Sequence, residues 1–110
     1  MRIPNADKAV ISVEKLRDHL LNPPRRRGGA KARLLLSLGH SRERPEQLEL
    51  DLRQQHLSLD AATESADDYR RRFEIVAPIV GPGGRSVIFL SVWQIDRSTE
   101  APRLITLYPR

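Results

Sequence analysis

Five cationic side chains lie between residues 25 and 33, in the segment NPPRRRGGAKAR that begins at Asn22. No acidic residue interrupts this basic segment, which contains Arg25, Arg26, Arg27, Lys31 and Arg33. A cationic cluster of this density favours an anionic partner such as nucleic acid. The alternative is a solvated basic loop that only connects two elements.

The backbone of the basic segment is also suited to an anion. Pro23 and Pro24 fix φ and end any preceding helix, whereas Gly28 and Gly29 allow the main chain to approach a partner closely. A helix that begins at about residue 29 would add unpaired amides and the positive end of its dipole. These features predict a phosphate site beside the arginines.

Cleavage of RNA by its own 2′-hydroxyl is the chemistry that these residue types could perform without a metal or cofactor. The reaction needs cations to stabilise a pentavalent phosphate and a side chain that moves a proton. The candidate catalytic residues are Lys31, Thr106, Tyr108 and Arg25. The candidate nucleic-acid-binding residues are Arg26, Arg27, Arg33, Arg71 and Arg103.

Other kinds of site find little support. The chain has no cysteine, which excludes disulfides, a thiolate nucleophile and thiolate-bound zinc. The spacing of its three histidines, His19, His40 and His56, matches no metal-ligand motif. No catalytic triad, paired carboxylates, P-loop or Rossmann glycine pattern is present, and we therefore expect neither a metal nor a cofactor.

The overall composition is that of one small basic domain covering residues 1–110. The net charge is +5, the isoelectric point is about 10.4, and 39% of the residues are hydrophobic. The first residues, MRIPNADK, contain no apolar stretch typical of a secretory signal, and no uncharged apolar run is long enough to span a bilayer. A cytoplasmic location is the default expectation.

The first half of the chain, about residues 13–59, has helical patterns. Ser12 is placed as an N-cap for a short helix over residues 13–21, whose apolar stripe is formed by Val13, Leu16, Leu20 and Leu21. A second helix over residues 31–38 ends at the C-cap Gly39. The third helix begins with Pro45 as its first residue and is expected to reach about Leu59, with Leu48, Leu52 and Leu59 on its buried face.

The second half of the chain has β patterns. Residues 60–68 are predicted to be an exposed linker because they hold four acids and small residues. Strands are expected over residues 69–80, 86–95 and 103–108, with the turn GPGG at residues 81–84 joining the first two. Pro78 implies an edge position or a bulge, and Tyr69 and Trp93 are expected in the core or at its edge.

The polar face of the last strand depends on its alternation. Strict alternation places Thr106 and Tyr108 on the same side as Leu104, with Ile105 and Leu107 on the other, and leaves open which side is exposed. Together these patterns predict an α+β fold, in which N-terminal helices pack on an antiparallel sheet of three to four strands.

The motifs of the chain, taken in order, resemble those of a known domain family. The segments RIPNADKAVI, KLRDHLLNP, GGAKARLLLSLG, GPGGR, VWQID and PRLITLYP span almost the full chain. They resemble a bacterial domain family of unknown function whose members read IPNA, then LNPxHPxGxxKAxxF, then GPxGR, a tryptophan strand and PRLxTxYP. That family is in turn similar to the C-terminal toxin domains that group with the barnase, EndoU, colicin and RelE ribonucleases.

The resemblance implies a metal-independent endoribonuclease toxin that acts on tRNA or mRNA and pairs with a small neutralising protein. Carried over by position, the lysine of the GxxKA motif is Lys31, and the final threonine and tyrosine are Thr106 and Tyr108. This chain departs from the family at Arg25, where the family has a histidine. It also has Leu90 and Ser91 where many members have an arginine shortly before the tryptophan.

Two other functions remain open alongside the nuclease. One is a domain of the same fold that binds RNA or protein without cutting, for which binding should weaken steeply with salt. The other is an interaction module that docks the basic segment on a small acidic protein.

Overall fold

The protein is described by a computed structural model over residues 1–23 and 29–110. A short 3-10 turn (Ala6–Lys8) and a π-helical turn (Lys15–Leu20) precede two α-helices, α1 (Gly29–Ser37) and α2 (Pro45–Gln55). Four strands follow, namely β1 (Thr63–Ala66), β2 (Arg70–Val80), β3 (Ser86–Asp96) and β4 (Arg103–Pro109). They form one antiparallel sheet in the order β1-β2-β3-β4, with the helices packed on one face, and the predicted α+β class is therefore confirmed.

The core lies between the helices and the inner face of the sheet. Leu16 and Leu21 of the π-helical region, Leu35 of α1 and Leu48 and Leu52 of α2 are all completely buried. They meet alternate residues of the strands, which include Phe73, Ile75, Ile79, Phe89, Trp93 and Leu107. Burial of this apolar surface is the main source of stability for the domain.

The first helix differs from the α-helix that its sequence predicts. Ser12 caps it as expected, since its Oγ accepts a hydrogen bond from the Lys15 amide at 3.2 Å. The amide of Leu21 then bonds the carbonyl of Leu16 at 2.8 Å, five residues back, as in a π-helix. This wider turn buries Leu16, Leu20 and Leu21 together, whereas Val13 is 45% exposed, and its expected place in the stripe was wrong.

The end of α1 and the GPGG turn are built against each other. Gly39 has a positive φ of 101°, and the amides of Gly39 and His40 bond the carbonyls of Leu36 and Leu35, which closes the helix in a Schellman motif. The Gly83 amide donates to the Leu38 carbonyl at 3.0 Å. A Cβ on Gly81 would overlap that same carbonyl, and for this reason the hairpin turn requires glycine there.

β1 lies inside the segment that was expected to be an exposed linker. Its four residues, TESA, are all exposed and have no apolar alternation, although they pair in register with residues 71–74 of β2. A strand at the sheet edge can be held by main-chain hydrogen bonds alone, without an apolar face. The linker prediction was therefore wrong for residues 63–66.

Two apolar positions are also more exposed than predicted. Helix α2 ends at Gln55, short of Leu59, which is 40% exposed, and Leu57 is buried in its place. Tyr69 precedes β2 and is 73% exposed, whereas Trp93 is buried as expected. Pro78 lies in the part of β2 that extends beyond β1, an edge position as predicted.

The last strand does not alternate strictly. Trp93 pairs with Leu104 and Val92 pairs with Thr106, which leaves Ile105 as the extra residue of a β-bulge. Leu104 and Leu107 are both buried on the inner face, while Thr106 and Tyr108 lie on the outer face. The predicted shared side of Leu104 and Thr106 was wrong because the bulge changes the phase of the strand.

No helix in the described ranges has the length and apolar content needed to cross a membrane.

Candidate active site

A groove of about 360 Å³ crosses the outer face of the sheet. One cross-strand row at its floor runs from Thr63 through Glu74 and Val92 to Thr106, with one residue from each strand. Neighbouring strands lie about 4.8 Å apart, so this row spans the whole width of the sheet. The groove is lined by Thr63, Ser65, Arg72, Glu74, Val92, Ile105, Thr106 and Tyr108.

Lys31 reaches this face from the first turn of α1. Its Nζ donates to Thr106 Oγ1 at 3.3 Å and lies 4.4 Å from the centre of the Tyr108 ring. The ring face attracts the ammonium through its quadrupole. Lys31 and Thr106, which are 75 positions apart in the chain, thus form one cluster with the Tyr108 phenol at the β4 side of the groove.

The N-terminal segments position α1 beside β4, which is an edge strand of the sheet. Val10 pairs with the start of β4, accepting from the Leu104 amide at 3.1 Å and donating to the Pro102 carbonyl at 2.8 Å. Lys15 Nζ donates to the Ile105 carbonyl at 2.6 Å, at the bulge residue. These contacts cover the first part of the β4 edge and hold the segment that precedes α1, which carries Lys31, against β4.

An arginine and a carboxylate face the same groove from β2. Arg72 Nε donates to Gln94 Oε1 at 2.8 Å, which fixes the guanidinium against the groove floor. Glu74 accepts from the Thr63 hydroxyl at 2.7 Å and is only partly buried. Glu74 is not among the site residues predicted from the sequence. The β1 pairing that aligns it was not visible in the pattern, but alternation from the buried Phe73 and Ile75 places residue 74 on the outer face.

The structure brings together only some of the predicted site residues. Lys31, Thr106 and Tyr108 form the cluster described above. Arg103 lies on the outer face but donates to Asp96 Oδ2 at 2.9 Å, and this hydrogen bond lowers the pKa of Asp96. Arg25, Arg26 and Arg27 lie outside the described residues.

Arg71 and Arg33 are placed differently. Arg71 points to the inner face, where it bonds Glu64 and its guanidinium lies 5.1 Å from the Phe73 ring centre. It is on the side of the sheet opposite Thr106, so it does not contribute to the groove. Arg33 is exposed on α1, two residues beyond Lys31.

Among the residues that the structure describes, no group of three or more histidines and carboxylates could hold a metal ion. Among the described residues, the polar groups of the groove are Arg72, Glu74 and the hydroxyls of Thr63, Ser65, Thr106 and Tyr108, and the Lys31 ammonium lies beside it. Cations such as these can form charge-assisted hydrogen bonds with an anion.

The comparison with known families covers nearly the whole chain. Residues 2–110 match the family described as Domain of unknown function (DUF6883). The chain belongs to this family. No curated protein sequence matches this DUF6883 chain.

A solved structure shares the fold of this DUF6883 domain. It is a contact-dependent growth inhibition toxin–immunity protein complex from Klebsiella pneumoniae 342. The match has a TM-score of 0.65 at 18% identity and covers 92% of this chain and 99% of the other. At this identity the likeness establishes a common fold.

The DUF6883 domain has a larger cavity of about 620 Å³ at the far end of the sheet. It lies between the loop before β2, the loop after β3 and the N-terminal turn. Its acidic wall includes Asp67, whose pKa is lowered by hydrogen bonds from the Tyr69 and Arg70 amides. The cavity is lined by loop residues and by the adjoining ends of β2 and β3, and its lining does not include Lys31, Thr106 or Tyr108.

Two buried histidines support the elements beneath the groove. His56 is fully buried, and its Nε2 donates to the Ala77 carbonyl at 3.1 Å. The other ring nitrogen, Nδ1, therefore accepts from the Ser91 hydroxyl at 2.7 Å, and that hydroxyl accepts in turn from Trp93 Nε1 at 2.9 Å. With the imidazole neutral, the network satisfies these polar atoms, and burial lowers the pKa of His56.

His40 and Asp51 form a second buried pair between the end of α1 and α2. His40 Nε2 lies 3.1 Å from Asp51 Oδ2, but neither atom is aligned for a hydrogen bond. Asp51 Oδ1 accepts from Gln47 Nε2 at 3.1 Å. Burial lowers the pKa of His40, and the nearby carboxylate opposes this effect.

Proposed function

We propose that this domain is a metal-independent endoribonuclease that acts as the toxic member of a pair with a neutralising protein. The observation that carries the proposal is the position of Lys31 Nζ, against Thr106 Oγ1 and the Tyr108 ring, beside a groove that also holds Arg72 and Glu74. These are the groups that cleavage through the 2′-hydroxyl requires: cations for the phosphate and a base for the proton.

In the proposed reaction the 2′-oxygen attacks the adjacent phosphorus, so that the P–O2′ bond forms and the P–O5′ bond breaks. Glu74 accepts the proton of the 2′-hydroxyl, and the Tyr108 hydroxyl supplies a proton to the departing 5′-oxygen. Lys31 and Arg72 stabilise the additional negative charge on the phosphate oxygens. The products are a 2′,3′-cyclic phosphate and a 5′-hydroxyl end.

The place of Arg25 in this reaction follows from the family motif. It stands where similar domains have a histidine, and a guanidinium binds phosphate well but does not move a proton near neutral pH. The carboxylate of Glu74 therefore takes the proton-accepting role in our proposal, while Arg25, Arg26, Arg27 and Arg33 are proposed to contact the RNA backbone.

The similarity in fold supports the toxin part of the proposal. The Klebsiella structure is described as a toxin with its immunity protein, and it is covered almost entirely by this chain. We infer that a protein partner binds this domain and holds it inactive. A cationic chain with a net charge of +5 favours an acidic one.

The decisive experiment is incubation of purified protein with tRNA and mRNA in the presence of EDTA. We expect fragments with 2′,3′-cyclic phosphate ends, and we expect Lys31→Ala to reduce the cleavage rate at least ~100-fold. Lys8→Ala is the matched control, because Lys8 is an exposed lysine of the N-terminal 3-10 turn. Intact RNA after long incubation at high protein concentration would contradict the nuclease, and salt-sensitive binding without cleavage would select the non-cutting RNA-binding domain instead.

A further inference from the structure

The outer face of the sheet carries an apolar patch next to the groove. It is formed by alternate residues of β2 and β3, at the end of the sheet that extends beyond β1. We call this the outer patch, and its members are Val76, Pro78, Val80, Ile88 and Leu90.

Three branched aliphatic side chains of the outer patch are exposed to solvent. Val76 is 37% exposed, Val80 46% and Ile88 48%, although the opposite side of the same strands is completely buried at Ile75, Ile79 and Phe89. The patch extends over three cross-strand rows, about 14 Å along the strands, because residues on one face are about 6.8 Å apart. A contiguous apolar surface of this kind marks an interaction site.

The patch joins the candidate active site at Tyr108. The register pairs Val76 with Leu90 and Leu90 with Tyr108, so these three residues form one row across the sheet. The next row along the strands contains Glu74, Val92 and Thr106. Anything that lies on the outer patch and extends by one row therefore reaches the groove.

The chemistry of the patch favours a protein over a nucleic acid. Its members are branched aliphatic residues and a proline, which offer no hydrogen-bonding group, whereas nucleic-acid platforms stack bases on aromatic rings. Tyr108 is the aromatic residue beside the patch, and its ring is approached by Lys31. Apolar centres surrounded by polar rims are typical of protein interfaces.

The charged residues around the outer patch indicate which charge a protein that binds there should carry. Lys31, whose ammonium lies 4.4 Å from the centre of the Tyr108 ring, borders it on the groove side. Arg110 follows Tyr108 on the same alternation, and its amide donates to the Ile88 carbonyl at 2.8 Å. Glu74 is the carboxylate at this border and is already engaged by Thr63. A complementary surface has apolar side chains at its centre and carboxylates around them.

We propose that the outer patch is the docking surface for an acidic protein partner, and that this partner covers Tyr108 and so closes the groove to RNA. The inference rests on the proposed pairing of this domain with a neutralising protein. The patch supplies the affinity through apolar burial, while the cationic rim supplies orientation and fast association.

The test uses the full chain and, as probe, the purified polypeptide encoded by the gene next to that of this protein. Titration calorimetry should give a complex with the wild type, and Ile88→Glu should weaken it ~30-fold or more, as expected for a central interface residue. Val13→Glu is the matched control, since Val13 is 45% exposed on the N-terminal helical turn. It should bind as tightly as the wild type.

Further measurements distinguish a loss of partner binding from a loss of folding or of RNA cleavage. Thermal unfolding and RNA cleavage without the probe should be unchanged in Ile88→Glu, and Ile88→Thr provides a milder, β-branched replacement if the glutamate variant unfolds. Addition of the probe should inhibit cleavage by the wild type but not by Ile88→Glu at the same concentration. A wild type that binds the probe but cuts no RNA would remove the nuclease while leaving the docking surface intact.

Four results would overturn the proposal. The first two are failure of the probe to bind the wild type and equal affinity for wild type and Ile88→Glu. The third is a wild-type dimer in sedimentation that Ile88→Glu dissociates, which would assign the patch to a second copy of this chain. The fourth is an increase in KM for RNA caused by Ile88→Glu, which would assign the patch to the substrate.

Discussion

Lys31 and Thr106 meet at 3.3 Å although they belong to a helix in the first third of the chain and to the last strand. The contact joins two motifs, GGAKAR and PRLITLYP, that neither helical nor strand periodicity could connect. It depends on the N-terminal segments that pair with the start of β4, and on the bulge at Ile105 that turns Thr106 to the outer face.

Replacement of the Thr106 hydroxyl tests whether this contact orients Lys31. Thr106→Val keeps the β-branched shape but removes the oxygen that accepts from the ammonium, so we expect single-turnover cleavage to slow ~10- to 100-fold with little change in thermal stability. Thr106→Ser retains the hydroxyl and should restore most of the rate. Equal rates for the valine and serine variants would show that the hydroxyl has no part in cleavage.

Replacement of Glu74 tests its proposed role as the proton acceptor. Glu74→Gln preserves size and the ability to contact Thr63, but an amide cannot accept the 2′-hydroxyl proton, and cleavage should fall ~100-fold or more. The matched control is Glu64→Gln, because Glu64 pairs with Phe73 and bonds Arg71 on the inner face. If both variants cut at the wild-type rate, another group must remove the proton.

Sequence patterns predicted the helices and the three longer strands because each contains its own apolar periodicity or turn signal. They missed β1, since an exposed edge strand of sequence TESA has no apolar face to reveal it. The phase of β4 could not be predicted either, because a bulge depends on the pairing with β3 and not on β4 alone.

The candidate site, too, was predicted where residue type was sufficient and missed where strand pairing decides the position of a side chain. Lys31, Thr106 and Tyr108 were proposed from residue type and family resemblance, and the structure places them together. Arg71 was an equally good cation in sequence, yet its odd-numbered position in β2 directs it to the inner face with Phe73. Glu74 was not predicted, because residues 63–66 were expected to be part of a linker and not the strand that pairs with β2 at Glu74.

The docking of the hairpin turn under α1 can be tested at Gly81. In Gly81→Ala the new methyl group would overlap the Leu38 carbonyl oxygen and side chain, and we expect a loss of about 1–3 kcal/mol in unfolding free energy from the forced displacement. Chemical denaturation monitored by Trp93 fluorescence measures this loss. The control is Gly84→Asn, since Gly84 has open space around it and a positive φ of 85° that asparagine tolerates better than other residues, and its cost should be smaller.

The two buried histidines predict that the fold is less stable in mild acid. Burial lowers the pKa of both His40 and His56 below the ordinary value of 6.5 that applies to the unfolded chain. Below pH 6.5 the unfolded state therefore binds more protons than the folded state, so the unfolding free energy is greatest above that pH and decreases as the pH falls towards the folded pKa values.

Urea denaturation at pH 7.5, 6.0 and 5.0 measures this decrease. These pH values lie above the usual range of the carboxylates, and the lowered pKa values of Asp18, Asp67 and Asp96 affect stability only in stronger acid. His40→Gln should make the decrease shallower, because it removes one of the two buried imidazoles whose pKa is lowered. A wild-type stability that is constant from pH 7.5 to 5.0 would mean that neither imidazole resists protonation in the folded protein.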